Sequence, residues 1–145
     1  MFRQLAHGEA LLLPHFGQET VHHIHADDIA SAFLACMAHP ERSAGQAYHI
    51  VSPQATSLRG LAQGVCRLLF QRDAVLSFVP WDEFAASLAP EDAEAVLTHI
   101  THSPSCSTAK ITQQLGFVPA HGSIEMVAEA AQWLIDHDGL DFGKS

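Results

Sequence analysis

The stretch VHHIHADDIASAFLACMAHPERSAGQAYHIVSPQATSLRGLA, residues 21–62, decides the fold. It begins inside a strand-like run, Thr20 to Ala26, where alternation puts Val21, His23 and His25 on one face and His22, Ile24 and Ala26 on the other. The period then changes. Asp27 or Asp28 is placed to cap a helix whose Ile29, Phe33, Leu34 and Met37 recur at helical spacing, with an end before Pro40. A loop containing Gly45 leads to a short strand, Ala47 to Val51, and Ser57 opens a second helix with Leu58, Leu61, Val65, Leu68 and Leu69 on one face. Strand, helix, strand, helix is the order of an α/β layer.

Toward the amino terminus, a strand over Ala10 to Leu13 is set off by the turn residues Pro14 and Gly17. Phe2 to His7 gives two helical turns, too few to repay nucleation alone. Toward the carboxy terminus, Ala74 to Val79 reads as a strand running into Pro80 and Trp81 and a helix to about Leu88. Helices follow over Glu91 to His99, Ser107 to Leu115 and Ser123 to His137, the last two joined by a Gly116 to Gly122 connector. Helices outnumber strands and the strands are short. The pattern predicts a small, helix-rich α/β domain, not a complete Rossmann fold, and one domain over residues 1–145, since neither a repeat nor a linker interrupts the chain.

A composition of 48% apolar residues in 145 supplies a core, and 16% charged residues spread along the chain do not mark disorder. Net charge is −9 with only 7 Lys and Arg, which disfavours nucleic acid and anionic membranes as partners. Apolar runs such as Ala10 to Leu13 and Val65 to Phe70 are far too short to span a bilayer, and MFRQLAHGEALLLP lacks the regions of a signal peptide; a cytoplasmic location is the expectation. Cys36, Cys66 and Cys106 are few, odd in number and dispersed, as reduced thiols are.

Residues 21–62 resemble the extended short-chain dehydrogenase/reductases, the epimerase/dehydratase branch. That family has a strand ending in His, a short step to an Asp opening a helix, a "gevYniv" strand, and a Ser- or Thr-capped helix. His25, Asp28, Tyr48 to Val51 and Ser57 stand at those places. LLLPHFGQ is similar to the family's lead-in, and STAKITQQLGFVPAHGSIEMVAEAAQWL, with Lys110, Leu115, Gly116, Phe117 and Pro119, to its closing block. Structural roles suffice for each: Asp28 and Ser107 as helix caps, Ile24 and Ile29 as core, Gly116 as left-handed terminator.

The resemblance implies the carboxy-terminal, substrate-binding portion of an NAD- or NADP-dependent parent, starting about two thirds of the way along it. The family holds its cofactor on a glycine-rich turn after the first strand. Here Gly60 and Gly64 lie within a helix, a packing feature at most. The family's Tyr and Lys, four residues apart, are matched only by Tyr48 and Ser52. No catalytic, cofactor-binding or metal residue is therefore assigned, and the chain alone is expected to be inactive and to bind no NAD tightly.

Family ligand contacts correspond to positions 21 and 23, so Val21, His23 and His25 are the substrate-binding candidates, His23 foremost. Relatives acting on nucleotide sugars carry Arg at the start of this strand and before the closing block, where Val21, His22 and Leu97 to Ser105 offer none. A smaller or uncharged substrate is expected. Docking to a cofactor-binding half or to a second copy is the partner expectation.

Two other readings remain. Gly17 to His25 fits the opening G-x5-H-x-H of a cupin metal motif, and two imidazoles on one strand face with Asp28 would give a partial ligand set. The second is a stand-alone, non-enzymatic binding module. His99 with His102, and Glu125 with Glu129, sit at helical spacing as solvated faces do.

Overall fold

The computed structural model describes residues 1–137. In chain order the elements are α1 (Phe2–His7), β1 (Leu11–Pro14), β2 (Thr20–Val21), α2 (Ala26–Ala38), α3 (Pro40–Ser43), β3 (Thr56–Ser57), α4 (Leu58–Phe70), β4 (Leu76–Val79), α5 (Trp81–Ala86), α6 (Pro90–Thr101), α7 (Ala109–Leu115) and α8 (Ser123–Asp136). β1 and β4 run parallel, from Leu11 opposite Leu76 to Pro14 opposite Val79. β2 and β3 form a two-residue antiparallel pair. The domain is helix-rich with few, short strands, as the residue pattern predicts.

The main core lies under α4. Ser57 accepts a hydrogen bond from the Gly60 N–H and so caps the helix. Leu61, Ala62, Val65 and Cys66 then turn inward against Leu5, Leu11, Leu13 and Val21. On another face α4 meets α8, and Gly64 is the point of closest approach: a Cβ there would lie 2.4 Å from the Ile124 side chain. Gly64 is thus a packing residue.

A second, smaller cluster joins α2 to α7 through Ala32, Ile111, Leu115 and Phe117, with Tyr48 and Ile50 packed against it. Here α2 departs from expectation. Ile29, Phe33, Leu34 and Met37 are not core residues; they are 38%, 63%, 65% and 74% exposed. The buried face is the opposite one, where Ala32 is 0% exposed and Asp28 3%. Ala32 is buried in one cluster with Ile111 and Phe117, and the bulky stripe is left outward.

The expected strand over Ala47 to Val51 is also absent. The segment alternates between exposed Ala47 and His49 and half-buried Tyr48 and Ile50, as a strand would. Yet among the described residues none of 47–51 makes a backbone–backbone hydrogen bond. The Lys110 Nζ donates to the Ala47 carbonyl, and Lys110 also lies 5.1 Å from the centroid of the Tyr48 ring. A strand needs a partner, and this one has none among the described residues. The run from Thr20 likewise narrows to Thr20–Val21, paired with β3, beyond which the His23 carbonyl accepts from the Ser52 N–H at 2.8 Å.

Candidate functional site

The chemistry-bearing side chains gather where the chain leaves β2 and enters α2. Val21, an expected pocket residue, is core instead: it is 2% exposed and belongs to the cluster under α4. His22 bridges two segments, one ring nitrogen bonded to the Ser52 carbonyl at 2.9 Å and the other accepting from the Cys106 N–H at 3.0 Å. It holds the site together.

His23 stacks on His99 of α6 with centroids 5.8 Å apart. Its Nδ1 is buried and has no hydrogen-bond partner. Burial, then the charges of His99 and His22, hold its pKa below the ordinary 6.5, so the neutral ring is favoured. A neutral imidazole with an unpaired nitrogen can accept from a ligand hydroxyl or donate to a carbonyl.

His25 does not share His23's surroundings. It is the N-cap of α2, its Nδ1 accepting from the Asp27 N–H at 3.1 Å, while its Nε2 lies 3.4 Å from Glu129. Its ring stacks on His121, centroids 4.0 Å apart. The strand alternation that puts the two residues on one face lapses because β2 stops at Val21.

Asp28 is therefore not the helix cap. As the third residue of α2 it points inward and receives the Ala120 N–H at 2.9 Å, the His121 N–H at 3.0 Å and the His121 Nδ1 at 3.1 Å. Burial opposes its ionisation, but these hydrogen bonds and the charge of His121 outweigh it, and the carboxyl lies below its ordinary 3.8. Ser107 accepts from the Ala109 N–H just before α7, with Thr108 in the cap position, and Gly116 ends that helix at φ 71°.

His99, His121 and Glu129 complete these clusters, and sequence spacing alone does not join them to residues 23–28. His99 and Glu129 look like solvated helix residues in isolation; only the paths of α6 and α8 bring them here. A groove of about 550 Å³ adjoins His25 and Glu129, walled by Ile24, Met126, Ala130 and Trp133. The cupin reading fails on this geometry: His23 and His25 have separate neighbours, and the described strands form two separate pairs and no barrel.

No family model and no curated protein matches the sequence. Solved structures do. UDP-glucuronic acid 4-epimerase from Bacillus cereus in complex with NAD matches with a TM-score of 0.63 at 12% identity, over 94% of this chain and 38% of its own. The epimerase Mth375 of Methanothermobacter thermautotrophicus gives 0.64 at 18% identity, over 95% and 36%. The Bordetella bronchiseptica enzyme WbmF, in complex with NAD+ and UDP, gives 0.60 at 20%, over 95% and 35%. The fold is that of part of an extended short-chain dehydrogenase/reductase. This chain spans little more than a third of the length of those neighbours. The short, separate strand pairs of the chain accord with a partial extended short-chain dehydrogenase/reductase fold, as does the unpaired segment at 47–51.

Proposed function

We propose that this chain is the substrate-side portion of an NAD(P)-dependent epimerase, dehydratase or reductase, completed by a cofactor-binding α/β half. The observation that carries the reading is residues 47–51, an extended segment packed on one face and, among the described residues, without a backbone hydrogen bond to a strand beside it. Free backbone N–H and C=O groups in such a segment are satisfied by an added strand. The outward stripe of Phe33, Leu34 and Met37 gives the incoming half an apolar surface to cover.

In the completed protein NAD or NADP supplies the redox chemistry, and this chain binds and orients the substrate. His23 is the proposed contact, because its Nδ1 is buried, unpaired and neutral beside His99. No arginine stands at residues 21–25 or 97–105 to grip a diphosphate, so the proposed substrate is smaller or uncharged. An acidic surface and the absence of a membrane-spanning helix among the described residues fit a cytoplasmic setting.

The test uses the purified chain with a dye that fluoresces on apolar surface, alongside sizing chromatography. Strong dye binding or self-association is expected, reduced in a Phe33→Glu, Met37→Glu double variant, with no measurable NAD affinity. A dye-silent monomer with a cooperative melt would mark a self-sufficient binding module and overturn this reading.

A further inference from the structure

We infer that His25, Asp27 and His121 form a binding site for one divalent transition-metal ion, which clamps the start of α2 to the connector before α8. One ligand atom from each of the three lies within 4.8 Å of the others. The inference is independent of the proposed function and rests on how both imidazoles are held. His121 directs its Nδ1 at Asp28, which fixes the proton there and leaves Nε2 as a free lone pair. His25 directs its Nε2 toward Glu129, and its Nδ1 is the lone-pair nitrogen, since it accepts from the Asp27 N–H.

His121 thus has a hydrogen-bonded carboxylate on the nitrogen away from the ion, the arrangement that orients metal-ligating histidines and raises their basicity, and Glu129 stands 3.4 Å from the corresponding nitrogen of His25. The third donor is already close: Asp27 Oδ2 lies 3.9 Å from His25 Nδ1, where donors on a tetrahedral zinc stand about 3.4 Å apart. Two imidazoles and one carboxylate suit zinc, cobalt or nickel, leaving a fourth position for water.

Two costs set the strength of the site. The rings are nearly parallel, 24° between planes, so one must rotate about χ2 to aim its lone pair at the ion; His25 is the ring free to turn, since no hydrogen bond ties it to Glu129 whereas His121 is bonded to Asp28, and that torsion is broad for His. The Asp27 N–H also loses its acceptor, and as Asp27 is exposed, water replaces it. The helix N-terminus repels a cation, but Asp27 and Asp28 both sit in that first turn and offset it. Sequence spacing hides the set, because His121 lies 96 positions beyond His25.

The chain is stripped with chelator and titrated with Co2+, then Zn2+, following visible absorption and melting temperature. The expected result is one equivalent of Co2+ with tetrahedral-type absorption bands, displaced by Zn2+, and a rise in melting temperature at saturation. Asp27→Asn and His121→Gln each weaken binding at least about tenfold, and Glu129→Gln weakens it less, while His102→Ala leaves it unchanged. Asp27 is exposed, so its variant folds whether or not His121→Gln does; circular dichroism checks both. No stoichiometric binding, or full affinity retained in Asp27→Asn, overturns the assignment.

Discussion

At the scale of single residues, Asp28 shows best what the pattern of residues conveys and what it omits. Its place at a strand-to-helix step is plain in the sequence, and an acidic residue there reads as a cap. The cap is nonetheless His25, and Asp28 instead supplies a buried acceptor to the backbone of Ala120 and His121. The partners lie 92 and 93 positions away, a distance over which local propensity carries no information. Asp28→Ala would strand two backbone donors and should cost about 3 kcal/mol in urea unfolding. A loss under about 0.5 kcal/mol, the range of ordinary surface changes, would show that these bonds do not stabilise the fold. His23 makes a second residue-scale prediction. Its lowered pKa means the folded state resists protonation, so it contributes stability above pH 6.5 that is lost as pH falls through the folded value. Its ring signal in an NMR titration should have a midpoint below 6.5, and a midpoint at or above that value would contradict the burial assigned to it.

Helices were legible where their two faces differ in both size and polarity. In α4, Ser57 gives the start, and Leu61 and Val65 of the expected stripe lie on the buried face with Leu58 and Leu69 partly buried, whereas Leu68 is 54% exposed. In α2 the helix is legible but its orientation is not. Side-chain bulk points to Phe33 and Met37 as core, whereas the residue buried in the cluster with α7 is Ala32. Strands were less legible, because 47–51 has the alternation of a strand and only a neighbour would make it one. Two predictions belong to elements. Exposed Phe33→Glu should change unfolding free energy in the isolated chain by no more than about 0.5 kcal/mol, since no core contact is lost; a cost of several times that would put Phe33 in the core after all. Gly64→Ala should overpack the α4–α8 contact and cost about 1–3 kcal/mol, recovered in part when Ile124→Val is added. Equal costs in the single and double variants would mean the two side chains do not meet.

Across the whole molecule, the chain folds around two clusters instead of one. The larger, under α4, draws on α1, β1, β2 and β4, with Ile124 and Val127 of α8 laid against it. The smaller, between α2 and α7, has Tyr48 and Ile50 packed against it. The fold's kinship was readable from motif order, while the lack of backbone pairing at 47–51 among the described residues was not, since it depends on backbone groups that no residue pattern records. If 47–51 lacks a neighbouring strand, its amides should exchange with solvent deuterium far faster than those of α4. Protection equal to that of α4 would show a strand partner already in place, such as a second copy.

The bonds from Asp28 to Ala120 and His121 also bear on how the chain is made. Synthesis runs from the amino terminus, so α2 emerges with its inward carboxylate long before the donors for it exist. Ile124 and Val127 of α8, which pack on the larger cluster, arrive later still. A nascent chain paused at about residue 100 therefore holds α2 and α4 without the segments that seal either one. Its native contacts form only once residues 120–127 have been made, and the early helices must be kept from other partners until then.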